Sequence, residues 1–261
     1  IRGGFAKMRA ARANKGPKPR KRIISFKNGI AELPEKLAAA LGQSVHTAVS
    51  IKSIRKSEER WTVAWSSPDG TTIEEGFDRL ILTIPAHRLL HLPFDAALQG
   101  ELRRFGAIDH PPVSVLSLGF KRADVAHPID GFGALVPKCE GRKILGVLFP
   151  SSIFAQRAPE GEVLLTVFVG GERQPECATA DTETLQRTVL PELEQLLGIT
   201  GKPTFVHHKH WDKAIPQYKL GYAAQLAGME RIEQDHPGLH LAGNYRTGIS
   251  VTCCLEAALK Q

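Results

Sequence analysis

Residues 239–251, LHLAGNYRTGISV, have the pattern of a short buried strand, a turn and the start of a helix that runs on through TCCLEAAL. Gly243 and Gly248 allow a tight turn, because glycine has no side chain to restrict the backbone. Beyond Ser250, apolar residues recur at helical spacing, so the first free N–H groups point back toward the turn. Such a helix start stabilises a phosphate or an electron-rich ring oxygen. An ordinary corner of an α/β domain fits the stretch equally well, and its context must decide.

The region before residue 95 also has a sequence pattern of helices and strands that is typical of an α/β domain. Residues 31–41 predict a helix, with Pro34 in its first turn, a leucine stripe and Gly42 as its stop. Three strands are predicted next, at residues 45–54, 61–65 and 72–77. Residues 78–85 form a nearly continuous apolar run, which predicts a strand buried on both faces, as in a parallel sheet.

The middle of the chain has a different pattern, with several apolar strands separated by short turns. The predicted strands are residues 113–120, 131–137, 144–149, 163–169 and 204–211. Residues 181–198 predict a helix, which Pro191 should kink or divide. Its predicted buried positions are Leu185, Val189, Leu193, Leu196 and Leu197. We therefore expect an α/β domain made from the first and last parts, with a domain inserted between them on a curved antiparallel sheet.

Composition excludes several classes of protein. The apolar fraction is ordinary for a soluble globular protein, no apolar run could span a bilayer, and we expect no signal peptide. Of the four cysteines, Cys253 and Cys254 are adjacent and none has CxxC spacing, so neither a zinc site nor a disulfide framework is indicated. A reducing cytoplasm is the simplest location.

The positive charge is concentrated in residues 1–27. This segment has ten basic residues and no acid, which leaves the rest of the chain at −3 against an overall net charge of +7. An anionic membrane surface, a nucleic acid and an anionic ligand are possible partners. We favour a solvated connector, because charge runs are usually just that, and we expect no nucleic-acid partner.

Seven segments, in order, carry a resemblance to a known family. They are SFKNG at 25–29, FGALVP at 132–137, LGVLF at 145–149, SSIFAQRAP at 151–159, FVGG at 168–171, WDKAIPQY at 211–218 and the stretch at 239–251. Together they resemble the oxygen-dependent protoporphyrinogen oxidases of the FAD-containing amine-oxidase superfamily. The resemblance covers nearly the whole chain from about residue 24 onward.

The resemblance implies a fold class and an activity. The fold class is α/β with a β-rich insertion, namely a partial Rossmann-like FAD domain of the amine-oxidase type and an inserted substrate domain on a mostly antiparallel sheet. The implied divisions are a connector at 1–24, FAD-domain segments at 25–95 and 211–261, and a substrate domain at 96–210. The implied activity is oxidation of protoporphyrinogen IX to protoporphyrin IX in haem synthesis, with FAD as cofactor and dioxygen as acceptor. The implied location is the cytoplasm, with a peripheral contact at the inner face of the cell membrane.

The resemblance also implies site residues. For the flavin they are Val49 on the adenine side, Trp211 beside the flavin ring, and Gly243, Asn244, Ile249, Ser250 and Val251 in the turn and helix start beneath it. Leu135, Leu148 and Phe168 match apolar positions that hold the tetrapyrrole. A wide, flat macrocycle suits such a lining, and hydride transfer needs orientation more than a strong base, so no catalytic side chain is assigned. Core packing is the alternative role for Val49, Trp211 and the three apolar residues.

Some features depart from the family pattern or remain open. The chain has no GxGxxG turn, so we expect a missing N-terminal half before Ile1 that carries it, and we expect the chain alone to bind FAD poorly and lack activity. Tyr222 lies where a histidine is common, and Cys253 and Cys254 lie early in the last helix. His207, His208 and His210 are interpreted as surface residues rather than metal ligands.

Three alternatives of other kinds stay open at this point. The chain could be a tetrapyrrole-binding module without catalysis, a surface binder acting through residues 1–27, or a related oxidase of amines or carotenoids. Tight porphyrin binding without flavin dependence would favour the first. Salt-sensitive affinity that depends on residues 1–27 would favour the second. Turnover of an amine panel would favour the third.

Overall fold

The computed structural model describes residues 23–259, and the chain divides into two compact units, residues 1–46 and 47–261. Most of the basic segment therefore lies outside the described residues, and its role stays a prediction. In the first unit, helix α1 (Glu32–Leu41) ends at Gly42, as predicted. No residue of α1 is buried, and Leu37 and Leu41 of its leucine stripe are exposed.

The second unit contains the remaining α-helices and all the strands of the described residues. The helices are α2 (Ala86–Leu89), α3 (Ala96–Leu102), α4 (Pro150–Ile153), α5 (Thr182–Leu197), α6 (Tyr222–Asp235) and α7 (Val251–Ala258). The strands are β1 (Ser50–Ser57), β2 (Arg60–Ser66), β3 (Thr72–Phe77), β4 (Leu80–Leu82), β5 (Val113–Lys121), β6 (Gly133–Leu135), β7 (Ile144–Leu148), β8 (Glu162–Gly170), β9 (Phe205–Trp211) and β10 (Leu239–Leu241). No helix in the described part of the chain is both long enough and apolar enough to cross a bilayer.

Strands β1, β2 and β3 form an antiparallel sheet in that order. Trp61 and Trp65 of β2 are buried. Strand β1 begins at Ser50, later than the predicted start at residue 45. The turn after β2 and the return strand β3 agree with the sequence prediction.

Strand β4 pairs in parallel with β10, which brings the apolar run before Pro85 beside the stretch at residues 239–251. The parallel pairing was predicted correctly, but burial on both faces was wrong. Leu82 and both leucines of β10 are buried, whereas Ile81 is 48% exposed. Among the described residues this sheet has only two strands, and only one of its faces is covered.

The first and last parts of the second unit share a hydrophobic core. Its members come from β1, β2, β4, β10, the helices α2, α3 and α6, and the loops beside them. Tyr245, in the turn after β10, is fully buried in this core. Two parts of the sequence that are far apart along the chain therefore pack as one body.

The middle of the unit forms a five-stranded antiparallel sheet in the order β6-β7-β8-β5-β9. Alternate residues of β5 and β8 point to opposite faces, and one face packs against α5 to form a second core. Helix α5 runs unbroken through Pro191, so the proline does not divide it, and the alternative of a kink stays a prediction. Four of the five predicted apolar positions are buried, with Leu196 half-buried, and this packing outweighs the backbone hydrogen bond that proline cannot donate.

The fold is thus mixed α/β with a mostly antiparallel sheet, which confirms the predicted fold class. The division into residues 1–24, 25–95, 96–210 and 211–261 stays a prediction.

Candidate functional site

An apolar cavity of about 430 Å³ lies on the face of the five-stranded sheet that is turned away from α5. Its lining contains the three residues predicted to hold the tetrapyrrole, which are Leu135, Leu148 and Phe168, together with Trp211, which was predicted to lie beside the flavin ring. No charged side chain lines it, and its volume lies in the usual range for small-molecule sites. We call it the apolar cavity.

Two glycines let β6 and β7 approach closely beneath this cavity. A Cβ atom on Gly133 would lie 2.2 Å from the carbonyl oxygen of Val147, and one on Gly146 would lie 2.7 Å from that of Ala134. The close pairing places Leu135 and Leu148 on neighbouring strands at the cavity. Leu135 is 88% exposed, so it lies at the mouth rather than in a packed interior.

Trp211 ends strand β9 and is about half exposed. It pairs with Val113 of β5, so both side chains lie on the cavity face of the sheet. The ammonium nitrogen of Lys209 lies 5.1 Å from the centre of the indole ring, in cation–π range. Trp211 is therefore a surface of the cavity and not a core residue.

The turn after β10 has the predicted geometry. Gly243 and Gly248 have φ angles of 135° and 131°, which only glycine adopts easily. A Cβ on Gly248 would lie 2.9 Å from the sulfur of Cys253. Helix α7 then begins after Ser250, whose hydroxyl accepts a hydrogen bond of 3.0 Å from the N–H of Cys253. The N–H groups of Val251 and Thr252, in the first turn, have no intrahelical acceptor and can bind a ligand.

A partly buried ion pair fixes this turn. A nitrogen of Arg246 donates to Glu233 at 2.8 Å, a second one donates to the carbonyl of Leu241 at 2.5 Å, and the N–H of Leu241 donates to Glu233 at 2.7 Å. Burial acts to raise the pKa of Glu233, but the hydrogen bonds from Arg246 and Leu241 outweigh it and leave that pKa lowered. The pair therefore ties α6, β10 and the turn together.

Three tyrosines hold the backbone of the same turn. The hydroxyl of Tyr218 donates to the carbonyl of Asn244, and that of Tyr222 donates to the carbonyl of Tyr245. Burial, followed by the neighbouring Tyr218, raises the pKa of Tyr222 to about 12, so its hydroxyl stays a donor at neutral pH. The hydroxyl of Tyr245 donates to the carbonyl of Leu82 at 3.4 Å. The sequence marked Tyr222 as a departure, and its contact with the turn gives it a structural role.

Some predicted site residues lie outside the apolar cavity. Val49 is half-buried just before β1 and is not part of the lining. The turn residues from Gly243 to Val251 are also absent from the lining, and the side chains of Ile249 and Val251 are exposed. The adenine-side role of Val49 and the flavin contacts of the turn stay predictions.

His208 of β9 makes structural contacts. One ring nitrogen of His208 lies 2.9 Å from the hydroxyl of Ser114 and the other lies 2.9 Å from that of Thr182. The hydroxyl of Ser114 in turn donates to the carbonyl of Ala178 at 2.6 Å. Burial, then His210 and His207, lowers the pKa of His208 and so favours its neutral form. Among residues 23–259, no group of three or more His, Cys, Asp or Glu side chains could hold a metal ion.

Sequence reasoning missed other parts of the cavity lining. Val113 and Val115 line it from β5, and Ile215 lines it from the loop after β9. The alternation in β5 could have identified the two valines once Trp211 was placed beside Val113. Ile215 carries no such periodic signal, because it lies in a loop.

The comparison with protein families agrees with this geometry. The model of the flavin containing amine oxidoreductases matches residues 5–261. The chain belongs to this family. The membership inferred from the seven segments is therefore confirmed, and the family implies a flavin cofactor.

Among the relatives of this flavin oxidoreductase are two plant proteins. The chain is 40% identical to the mitochondrial protoporphyrinogen oxidase of Nicotiana tabacum over 76% of this chain and 40% of that protein. It is 34% identical to protoporphyrinogen oxidase 2 of Arabidopsis thaliana over 100% of this chain and 54% of that protein. The chain thus spans about half the length of the curated relatives it matches.

A solved structure shows the same fold. A crystal structure from Exiguobacterium sp. 255-15, provisionally named a protoporphyrinogen oxidase, superposes with a TM-score of 0.75 at 23% identity, covering 97% of this chain and 53% of that one. At this sequence identity the similarity supports the fold alone.

The residues present fit a flavin. Gly243 and Gly248 keep the turn free of side-chain bulk, and the start of α7 presents N–H donors of the kind that stabilise an electron-rich carbonyl edge. Trp211 supplies an exposed aromatic ring. These residues would lie against the flavin ring.

Proposed function

We propose that this chain supplies the tetrapyrrole-facing surface and part of the flavin site of a protoporphyrinogen oxidase. Protoporphyrinogen IX would be the substrate, FAD the flavin and dioxygen the final acceptor, in haem synthesis. The observation that carries the proposal is the apolar cavity, in which Leu135, Leu148, Phe168 and Trp211 meet. The two plant relatives support the same substrate.

The lining explains how a tetrapyrrole would be held. Leu135, Leu148 and Phe168 present aliphatic and aromatic groups to a flat apolar macrocycle, and burial of that surface favours binding. No side chain of the lining can act as a base. The contribution of these residues to the reaction is thus orientation of the macrocycle and exclusion of water.

The cofactor would supply the redox chemistry of the reaction. A flavin held there would supply a hydride acceptor and a route for electron pairs to dioxygen. The N–H groups at the start of α7 would stabilise negative charge on the ring edge nearest to them. Ser250 keeps that helix start ordered by capping it.

Further parts of the proposal concern location and partners. We propose a cytoplasmic protein with a peripheral contact at the inner face of the cell membrane. We also propose that an N-terminal half with a GxGxxG turn completes the FAD site. If purified residues 1–261 retain one flavin per chain, measured by flavin absorbance, the proposed need for an N-terminal half is contradicted.

The decisive experiment follows porphyrin fluorescence during oxidation of protoporphyrinogen IX by the protein that carries the full chain, loaded with FAD. Phe168→Ala should lower kcat/KM about tenfold, because it removes an apolar wall of the cavity. Phe205→Ala is the matched control, since Phe205 is exposed on β9 and lies outside the lining. Equal effects of the two substitutions, or oxidation of amines in preference to the porphyrinogen, would contradict the proposal. Porphyrin binding without turnover would instead support the alternative of a tetrapyrrole-binding module without catalysis.

A further inference from the structure

A second cavity, of about 580 Å³, is lined from two distant parts of the sequence. Helix α2 and the turn after it contribute His87, Arg88 and His91, and the end of β9 with the loop that follows contributes residues 210–213. The volume lies in the usual range for a small-molecule site. Apart from Trp211, the proposed function assigns no role to these residues.

The alternation of β9 separates this cavity from the apolar one. Trp211 borders both cavities, but it pairs with Val113, which lines the apolar cavity. His210 pairs instead with Ser114, and a ring nitrogen of His210 lies 3.3 Å from the Ser114 hydroxyl. The side chain of His210 therefore lies on the opposite face of the sheet. A ligand of the second cavity is thus distinct from the ligand of the apolar cavity.

The second cavity is strongly basic. Asp212 is the only acid among the described residues of the lining, whereas its basic residues are His87, Arg88, His91, His210 and Lys213. Arg88 and Lys213 are exposed, and neither forms an ion pair with any part of the chain that the structure describes. We call it the cationic cavity. Two unpaired cations that line one cavity make its potential positive and favour a bound anion.

The pKa of His87 indicates the electrostatic potential in this cavity. Burial lowers the pKa most, and three neighbouring groups lower it further, namely His110, Lys213 and Arg88. Asp212 acts in the opposite direction but does not outweigh them. The surroundings of His87 thus disfavour another positive charge and favour a negative one.

We propose that the cationic cavity binds the phosphate group of a soluble small molecule. A phosphate carries up to two negative charges and several acceptor oxygens on one centre. It can accept two parallel N–H donors from Arg88, a further hydrogen bond from Lys213, and others from the histidines of the lining. A carboxylate offers only two oxygens, which are too few for this number of donors. The proposal does not depend on the proposed function, since it concerns neither the porphyrin nor the flavin.

The test measures binding of inorganic phosphate to the full chain at pH 7.5 and constant ionic strength, by broadening of the phosphorus NMR signal. The double substitution Arg88→Gln and Lys213→Gln should weaken binding about tenfold, because it removes both charge-assisted donors. The exchange Arg88→Lys and Lys213→Arg keeps both charges and should retain most of the affinity. The matched control is Arg231→Gln with Lys202→Gln, which removes two charges at exposed sites outside the cavity and should change nothing.

The other outcomes overturn the proposal. They are an affinity unchanged by the double substitution, and an equal loss in the control pair, which would mean that only the net charge matters. If the double substitution lowers the unfolding midpoint, Lys213→Gln alone is measured, and an unchanged affinity there again overturns the site. Vesicles of phosphatidylcholine with and without phosphatidic acid test the other source of phosphate groups. Binding to phosphatidic acid that needs Arg88 and Lys213, with no binding of inorganic phosphate, overturns the soluble ligand in favour of a lipid headgroup.

Discussion

The sheet that carries the apolar cavity and the turn that leads into α7 are stabilised in different ways. The sheet has five paired strands, with its own core against α5, and the cavity lies on the opposite face. The turn depends on a few polar contacts, and α7 has no buried residue, with Val251 and Leu255 about half exposed. The sheet that carries the apolar cavity is therefore supported by apolar burial, and the turn is supported by specific hydrogen bonds. Substitutions should separate these two kinds of support.

The largest expected effect concerns the core of the sheet. Leu165 of β8 is fully buried in the core between the sheet and α5, so Leu165→Ala should lower the free energy of unfolding by about 3 kcal/mol. Leu135→Ala should lower it by less than about 0.5 kcal/mol, because Leu135 is exposed at the cavity mouth, yet it should weaken porphyrin binding. Urea unfolding and porphyrin titration measure the two quantities. Equal destabilisation by both substitutions would contradict the separation of core and cavity.

The ion pair at the turn should come next. Glu233→Gln leaves Arg246 partly buried without its carboxylate, so it should cost about 2 kcal/mol of unfolding free energy. Glu183→Gln is the matched control, since its pair with Arg187 is exposed and should contribute less than about 0.5 kcal/mol. Urea unfolding at pH 7 distinguishes them. Similar costs for the two substitutions would mean that the turn is not held by this pair.

The same pair predicts a pH dependence with a defined sign. The pKa of Glu233 is lower in the folded chain, so its contribution is fully present above the pKa of the unfolded chain and is lost as pH falls through the folded value. The stability difference between the unsubstituted chain and Glu233→Gln should therefore shrink as pH falls from 6 toward 3. Other carboxylates titrate in both proteins and largely cancel. A difference that grows on acidification would refute the assigned role.

The smallest effect is expected at a tyrosine. Tyr222→Phe removes the donor to the carbonyl of Tyr245 and should cost about 1 kcal/mol. Tyr218→Phe, which removes the equivalent bond to Asn244 at an exposed site, should cost less. Thermal unfolding of both variants provides the comparison. Reversal of this order would place the main support of the turn at Tyr218.

Much of the fold could be predicted from periodicity and turn residues. The strands of the sheet, helix α5, the glycine stop of α1 and the strand–turn–helix at residues 239–251 all follow from short-range patterns. The exposure of Ile81 could not be predicted, because an apolar strand does not reveal whether its sheet is covered on both faces. The continuity of α5 through Pro191 also depended on tertiary packing, which the sequence does not display.

The candidate site was predictable only where a segment resembled known relatives. Leu135, Leu148, Phe168 and Trp211 meet at the apolar cavity because four antiparallel pairings join their strands through β5, and their roles toward a ligand stay predictions. The pairing of Glu233 with Arg246 was missed, because it depends on how α6 lies against β10. The cationic cavity was missed for the same reason, since Arg88 and Lys213 come from distant parts of the sequence and meet only in the folded chain.

Trp211 has a practical consequence. The chain contains three tryptophans, and the other two, Trp61 and Trp65, are buried on β2. Trp211 alone of the three is half exposed and borders both cavities. The fluorescence emission of Trp211 should therefore lie at longer wavelength than that of the buried pair. It should be quenched by a water-soluble quencher, and also by a porphyrin or flavin bound beside it. Trp211 therefore provides an intrinsic fluorescence signal at the boundary between the two cavities.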